Sequence, residues 1–249
     1  NIRRFTLIEK CARLGMVNSS YDNNSQTLHF GDIETNYDVA RATKVKRAAD
    51  LVVSYLKMHP EAIGLYRLST KMVLGVGRNE VQTLRKRAIE MAALFPELRV
   101  TERAELSVVE PAVVEGRERD EEILGLVSPN GYAVNFQKIS ELFAEDARET
   151  GKEIAIMTDT SVHCIERADE GGYRIISSRG IIDATVICVC AGPYSLHFAQ
   201  MLGMGYDYGI LPIAGNFYTT RNVLRGKVYR VQIPGIPFAA IHGDADVLD

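Results

Sequence analysis

The stretch NNSQTLHFGDIETNY, residues 23–37, strings Asn, Ser, Gln, Thr, His, Asp, Glu and Tyr around one glycine, with almost nothing to bury. Short hydrogen-bonding side chains in such a run either line a bound polar ligand or close Asx- and Ser-type turns on their own backbone. The polar residues continue through Asp32, Glu34 and Asn36 with no turn punctuation beyond Gly31, which favours the ligand. Two other places offer related chemistry. Glu9 closes the strand-like LIEK, and the carboxyl edge of an α/β sheet is where a carboxylate hydrogen-bonds an adenosine ribose, although a Glu ending a strand is more often simply solvated. The run ATVICVCAG, 184–192, stops at Ala191-Gly192 and turns into a short helix, a place where backbone can approach a cofactor.

A third site-like pattern fails on inspection. Gly75-x-Gly77 follows a strand and precedes a helix, but Glu80 stands where a dinucleotide loop has its third glycine. A carboxylate there would repel a phosphate, so this reads as an ordinary strand-to-helix turn. The four cysteines, Cys11, Cys164, Cys188 and Cys190, form no CxxC pair, which fits a reducing compartment and argues for no metal set. Cys188 and Cys190 alternate with Val189 and are expected as buried structural thiols.

The elements that must position these residues follow from periodicity. A strand is expected over Phe5–Ile8, then a long helix with Val45, Ala49, Val52 and Leu56 on one face and Asn36 or Asp38 as its cap. A second helix carries Val81, Leu84, Ala88, Met91 and Phe95 as its apolar stripe, with Asn79 as the expected cap. Residues 97–131, with Pro111 and the charge run EGRERDEE, read as solvated loop or edge. Phe136, Ile139, Phe143 and Ala147 give a third helix face. Strands joined by a Gly-Gly turn follow, then the 184–192 run, expected as a strand buried on both faces. Strand, helix, strands and a final strand-AG-helix make the grammar of a nucleotide-binding α/β domain.

Composition sets the outer limits. With 249 residues, 46% hydrophobic and 24% charged, the chain can bury a core in one or two domains. A net charge of -3 with intermixed signs argues against a nucleic-acid surface and for small-molecule partners. No apolar run approaches the roughly 20 residues of a membrane-spanning helix.

The stretches LIEK, NNSQTLHFGDIETNY, KMVLGVG, LVSPNGYAVNF, ATVICVCAGPYS, LPIAGNFY and KVYRVQIPGIPFAAIHGDADV run in order from end to end. In that order they resemble the malate:quinone oxidoreductase family within the D-amino-acid-oxidase-type flavoprotein superfamily. The resemblance implies an FAD-binding, Rossmann-like (glutathione-reductase-like) α/β domain interleaved with a substrate domain of mixed or antiparallel sheet. The FAD-binding part is expected over 1–57 and 130–205, the substrate domain over 58–129 and 206–249. The family pattern also has a GxGxxG loop ahead of these stretches and a glycine-rich flavin-covering segment after them, so the 249 residues are expected to be the interior portion of a longer chain.

The same resemblance implies roles. Glu9, Lys10, Asn24, Ser25, Gln26, Thr27, His29, Val162, Ala191 and Gly192 would hold FAD, with His29 facing the flavin. Oxidation of a 2-hydroxy acid needs a base for the hydroxyl proton, and histidine titrates in the right range. His242 matches the family's site histidine, Asp244 would orient it, and His29 is the second candidate. Arg221, Lys227, Tyr229 and Arg230 would bind substrate carboxylates. Malate is the expected substrate, 2-hydroxyglutarate an alternative, and a quinone the expected acceptor, reached from a peripheral position on a membrane on the cytoplasmic or mitochondrial matrix side. A flavin-free structural subunit descended from this fold is the competing reading.

Overall fold

A computed structural model describes residues 2–213, 215–216, 218–221, 223–233, 235, 241–244 and 246–247. In chain order the elements are β1 (Arg4–Ile8), α1 (Val39–Lys57), β2 (Tyr66–Val76), α2 (Arg78–Met91), β3 (Arg99–Glu102), α3 (Arg103–Val109), β4 (Ile123–Val134), α4 (Phe136–Glu149), β5 (Glu153–Met157), β6 (Val162–Arg167), β7 (Tyr173–Ser177), β8 (Gly180–Ala184), α5 (Ser195–Met201), β9 (Lys227–Arg230) and β10 (His242–Gly243). The chain divides into two compact units, Asn1–Val17 with Ile139–Thr219 and Asn18–Lys138 with Thr220–Asp249. Each is built from separated stretches of the chain. The units break at 17/18, 138/139 and 219/220, where the sequence reading drew lines at 57/58, 129/130 and 205/206. The reason is local: Thr27 bridges Ala133, Leu28 N–H donates to Tyr132 O at 3.1 Å, and Gly31 lies so close to α1 that a Cβ there would come within 2.9 Å of Ala42 Cα.

The first unit contains the parallel pair β1–β5, in register from Arg4↔Glu153 to Ile8↔Met157, and an antiparallel sheet β6-β7-β8. Gly171 and Gly172, both at positive φ, turn β6 into β7, as the Gly-Gly signal requires. The 185–191 run forms no strand among the described residues. Val186 is 79% exposed and Cys188 and Cys190 are exposed, which corrects the expectation of a two-sided buried strand with buried thiols. An apolar, β-branched run is buried only where ladders flank it, and none does here. Phe143 of α4, expected inside, is likewise exposed, while Ile139 and Ala144 are buried.

The second unit is organised around a mixed five-stranded sheet in the order β10-β9-β2-β4-β3, parallel only between β2 and β9. Asp38 caps α1 by accepting from Arg41 N–H at 2.7 Å, and the helix buries Ala42, Ala49 and Leu56. α2 starts one residue before the expected Asn79: Gly77 is its cap, at φ +80°. Glu80 then reaches back to accept from Val76 N–H at 2.8 Å, so the suspected dinucleotide loop is a helix start closed by its own carboxylate. The α2 stripe works as read, with Val81, Leu84 and Met91 buried, and Phe95 beyond the helix end buried with them.

The sequence reading missed β3, α3 and β4 within 97–131. Gly125, Pro129 and Gly131 broke the strand signal in ILGLVSPNGYAV, yet β4 pairs along nearly all of β2. The register shifts between Ser69/Gly131 and Lys71/Ser128, so Pro129 and Asn130 fall in a bulge where the missing Pro donor leaves no gap in the ladder. Leu124 and Leu126, fully buried, join Ile33, Val73, Val81, Leu84 and Tyr229 in the core. Truncating Leu124 to Ala should cost about 2–5 kcal/mol, read as a lower denaturant midpoint with unchanged slope, whereas Leu51→Ala on the exposed side of α1 should leave the midpoint nearly where it was.

Candidate functional site

In the second unit, alternation along the strands puts a polar patch on one face of the sheet. Lys71 of β2 and Lys227 of β9 are direct partners across the parallel ladder, two residues further Val73 faces Tyr229, and His242 of β10 is the antiparallel partner of Tyr229. Neither lysine reaches water: their side chains are 2% and 5% exposed. A buried ammonium must be paired, and each is. Lys71 Nζ lies 2.9 Å from Asp32 Oδ1 and Lys227 Nζ 2.5 Å from Asp244 Oδ1. Thr27 Oγ1 accepts a short hydrogen bond from Lys227 and donates to Asp244 Oδ1 at 3.0 Å.

Two histidine–carboxylate pairs bracket the Tyr229 ring. His242 stacks on it, with centroids 4.5 Å apart and planes 7° from parallel, and its Nε2 is 3.3 Å from Asp244 Oδ2. His29 meets the same ring edge-on at 6.1 Å, and its Nδ1 is 2.6 Å from Glu34 Oε1. Burial pushes the Glu34 carboxyl up, but the hydrogen bond and charge of His29, with Lys71 behind, bring it below its ordinary value. Burial brings Lys227 down to about 8 against the opposing pull of Asp244, and pushes the Tyr229 phenol far up. The loop carrying Asp32 and Glu34 is held by buried Arg87, whose guanidinium donates to the carbonyls of Gly31 (3.0 Å), Tyr37 (2.9 Å) and Asp32 (3.3 Å).

The sequence-read candidates therefore separate. His242, Asp244, His29, Lys227 and Tyr229 come together with Thr27. Arg230 alternates to the opposite face, where it pairs with Glu80 at 3.1 Å, and Arg221 is exposed with no hydrogen bond to the cluster among the described residues. Lys71, Asp32, Glu34 and Arg87 were not singled out as site residues. A lysine interrupting the apolar run KMVLGV was the available signal for the first, and the 23–37 stretch itself held the two acids.

The expected cofactor residues lie in both units. In the second, Asn24 and Gln26 turn their side chains onto the protein. Asn24 Nδ2 donates to Ser20 O at 2.7 Å and its Oδ1 accepts from Gln26 N–H, while Gln26, at φ +53°, accepts from Val247 N–H at 2.8 Å. The side chains of Asn24, Gln26 and Thr27 thus organise the loop from within; Ser25 leads into Gln26, and its carbonyl lies 3.0 Å from Thr27 Oγ1, whose one proton goes to Asp244. In the first unit, Glu9 ends β1 and accepts from Cys11 N–H at 2.8 Å, and Val162 begins β6. Lys10 Nζ lies 4.8 Å from the centre of the Tyr194 ring, which draws the end of β1 to the Ala191-Gly192 turn, where Gly192 has φ +55°.

The fold is one that solved oxidase structures share. Glycine oxidase from Geobacillus kaustophilus superposes with a TM-score of 0.66 at 15% identity, over 91% of this chain and 59% of that one. L-alpha-glycerophosphate oxidase from Mycoplasma pneumoniae, solved with FAD bound, gives 0.58 at 18%, over 78% and 50%. The fold class read from the sequence is borne out. Residues 3–249 match the malate:quinone oxidoreductase family model, and the chain belongs to that family. The malate:quinone oxidoreductase of Helicobacter pylori is 36% identical over 257 residues, covering all of this chain and 56% of its own length. The chain thus spans about half the length of the curated relatives it matches.

Glu34 gives the cluster a testable acid dependence. Its folded-state affinity for protons is depressed, so its contribution to stability is complete above its unfolded value near 4.5 and is lost as pH falls through the lower folded value. Glu34→Gln should lower the melting temperature at pH 7, and the gap to the unsubstituted protein should shrink as the pH is taken well below 4.5. A gap that is constant with pH would assign the loss to packing alone.

Proposed function

We propose that the full-length protein is an FAD-dependent oxidoreductase that oxidises a 2-hydroxy acid, malate foremost, and delivers the electrons to a quinone. The observation that carries this reading is the pair of histidine–carboxylate dyads bracketing Tyr229 on the polar face of the second unit's sheet, in a chain of this family. The residues of the first unit fit the adenosine end of FAD. Glu9 at the carboxyl end of a parallel strand suits a ribose, and the positive-φ turn at Gly192 leaves backbone open to a diphosphate. FAD, when bound, supplies the acceptor for the hydride that leaves the alcohol carbon.

The protein's own part is to hold the acid and take the hydroxyl proton. His242 is the better acceptor of the two histidines. Its partner Asp244 is also paired with Lys227, and the imidazole lies flat against the Tyr229 ring. Among the described residues, Glu34 Oε1 lies 2.6 Å from His29 Nδ1 and its Oε2 is buried without a hydrogen-bond partner, so His29 is more strongly claimed by its carboxylate. His29, whose side chain is 39% exposed, suits donation to an anionic group. Arg221 remains a candidate for a substrate carboxylate. Arg230, committed to Glu80, would have to leave that pair to bind one. Among the described residues no helix is long and apolar enough to cross a membrane, so delivery to a lipid-dissolved quinone would rest on peripheral association.

Purified full-length protein should be yellow, and malate should bleach its flavin without oxygen. In stopped flow, His242→Ala should slow that reduction about 10²- to 10⁴-fold, the usual contribution of a positioned proton acceptor. Arg221→Ala should mainly raise the malate concentration needed. Wild-type rates in His242→Ala with loss in His29→Ala would exchange the two roles; a colourless protein that takes up no FAD would favour the flavin-free subunit.

A further inference from the structure

Lys227 entered as a candidate grip for substrate, but its surroundings argue for another task. The ammonium is 5% exposed, and its contacts all lie inside the protein: Asp244 Oδ1 at 2.5 Å, Thr27 Oγ1, and the face of the Tyr229 ring at 4.4 Å. Asp244 and Thr27 each take one of its protons, and the Tyr229 ring lies beside the charge. A substrate carboxylate would have to compete with Asp244 for it. The other charged groups near it are Lys71, its neighbour across the ladder, and the carboxylate of Glu34. Asp244 has a second oxygen, and that one faces His242 Nε2 at 3.3 Å.

We propose that Lys227 is a positioning residue that sets the proton affinity of His242 through Asp244, and that it does not grip the substrate. The inference rests on the reading of His242 as proton acceptor. One carboxylate serves two basic groups. While Lys227 is an ammonium, it offsets the charge of Asp244 and keeps that charge from holding a proton on the imidazole. Take the cation away, and Asp244 favours the imidazolium, which cannot accept the hydroxyl proton. Burial sets the window: with Lys227 near 8, the cation is present through neutral pH and fades above it. The step balances simply, since the proton leaving the alcohol hydroxyl goes to the His242 ring while the hydride goes to the flavin, and Lys227 keeps its own proton throughout.

The test compares full-length, FAD-loaded Lys227→Met, Lys227→Arg and Asp244→Asn with the unsubstituted protein. Two quantities are read: the acid limb of flavin reduction at saturating malate, and the titration midpoint of the His242 ring by NMR of ¹³C-labelled histidine, assigned with His242→Gln. Removing a cation that neutralises the histidine's carboxylate should move both upward by about one pH unit or more in Lys227→Met. Lys227→Arg should return them close to the original, and Asp244→Asn should move them downward. At a fixed pH below the limb, the rate should fall about tenfold for each pH unit by which the midpoint rises. A Lys227→Met protein with both midpoints unmoved and only a raised malate requirement would overturn the proposal in favour of a substrate grip. Should that variant fail to fold, Asp244→Asn with an unmoved His242 midpoint would overturn it equally. If malate reduces no flavin in any of the proteins, the functional reading fails, while the NMR midpoints still decide whether Lys227 governs His242.

Discussion

Two lysines in register on adjacent parallel strands have to be neutralised inside the protein, and much of the second unit is arranged to do it. Lys71 and Lys227 project from the face of the sheet that also carries Val73, Leu124, Leu126 and Tyr229. Removing one partner of such a buried pair typically costs about 3–5 kcal/mol, because the remaining charge is stranded. Asp32 and Asp244 must therefore be delivered to within hydrogen-bond distance by segments more than 200 residues apart in the chain. Each delivery has its own support. Arg87 ties down the loop that brings Asp32, and Gln26 and Thr27 tie the other end of that loop to the segment that brings Asp244.

The same arrangement explains why chemistry could be sited here. A hydrophobic sheet face with a neutralised polar centre offers charges whose hydrogen bonds are already oriented, and oriented charge in a poorly hydrated place is what stabilises a developing proton transfer. Tyr229 separates the two histidines and gives each a fixed surface to lie against. Glu80 and Arg230 show the contrast on the opposite face, where the same strand spends its cation on closing a helix start.

The sequence was most legible where chemistry and periodicity coincide. The α2 stripe, the Gly-Gly hairpin and the rejection of the Gly75-x-Gly77 loop all rested on local physics that the fold keeps. His242, Asp244, Lys227 and Tyr229 could be named together because they lie in one block of the chain. What could not be read depends on pairing at a distance. β4 was hidden by Pro129 and two glycines that only a bulge opposite Thr70 makes harmless. Lys71 looked like one charge in a strand, since its partner Asp32 is 39 positions away. The 184–192 run shows the converse: its composition asks for burial, and burial needs neighbouring strands that composition cannot supply. In the polar loop Asn24, Gln26 and Thr27 turn their side chains onto the protein, the alternative that its Asx and Ser residues also offered.

The central claim is that the polar face holding Tyr229, His242 and His29 is where the acid substrate lies. A crystal structure of the full-length protein with FAD and an unreactive dicarboxylate analogue of malate tests it most directly. The account predicts density for the analogue against Tyr229, with a hydroxyl-equivalent atom within about 3.2 Å of His242 and the Lys227–Asp244 pair intact behind it. An analogue bound away from this face, with both histidines out of reach, would contradict it.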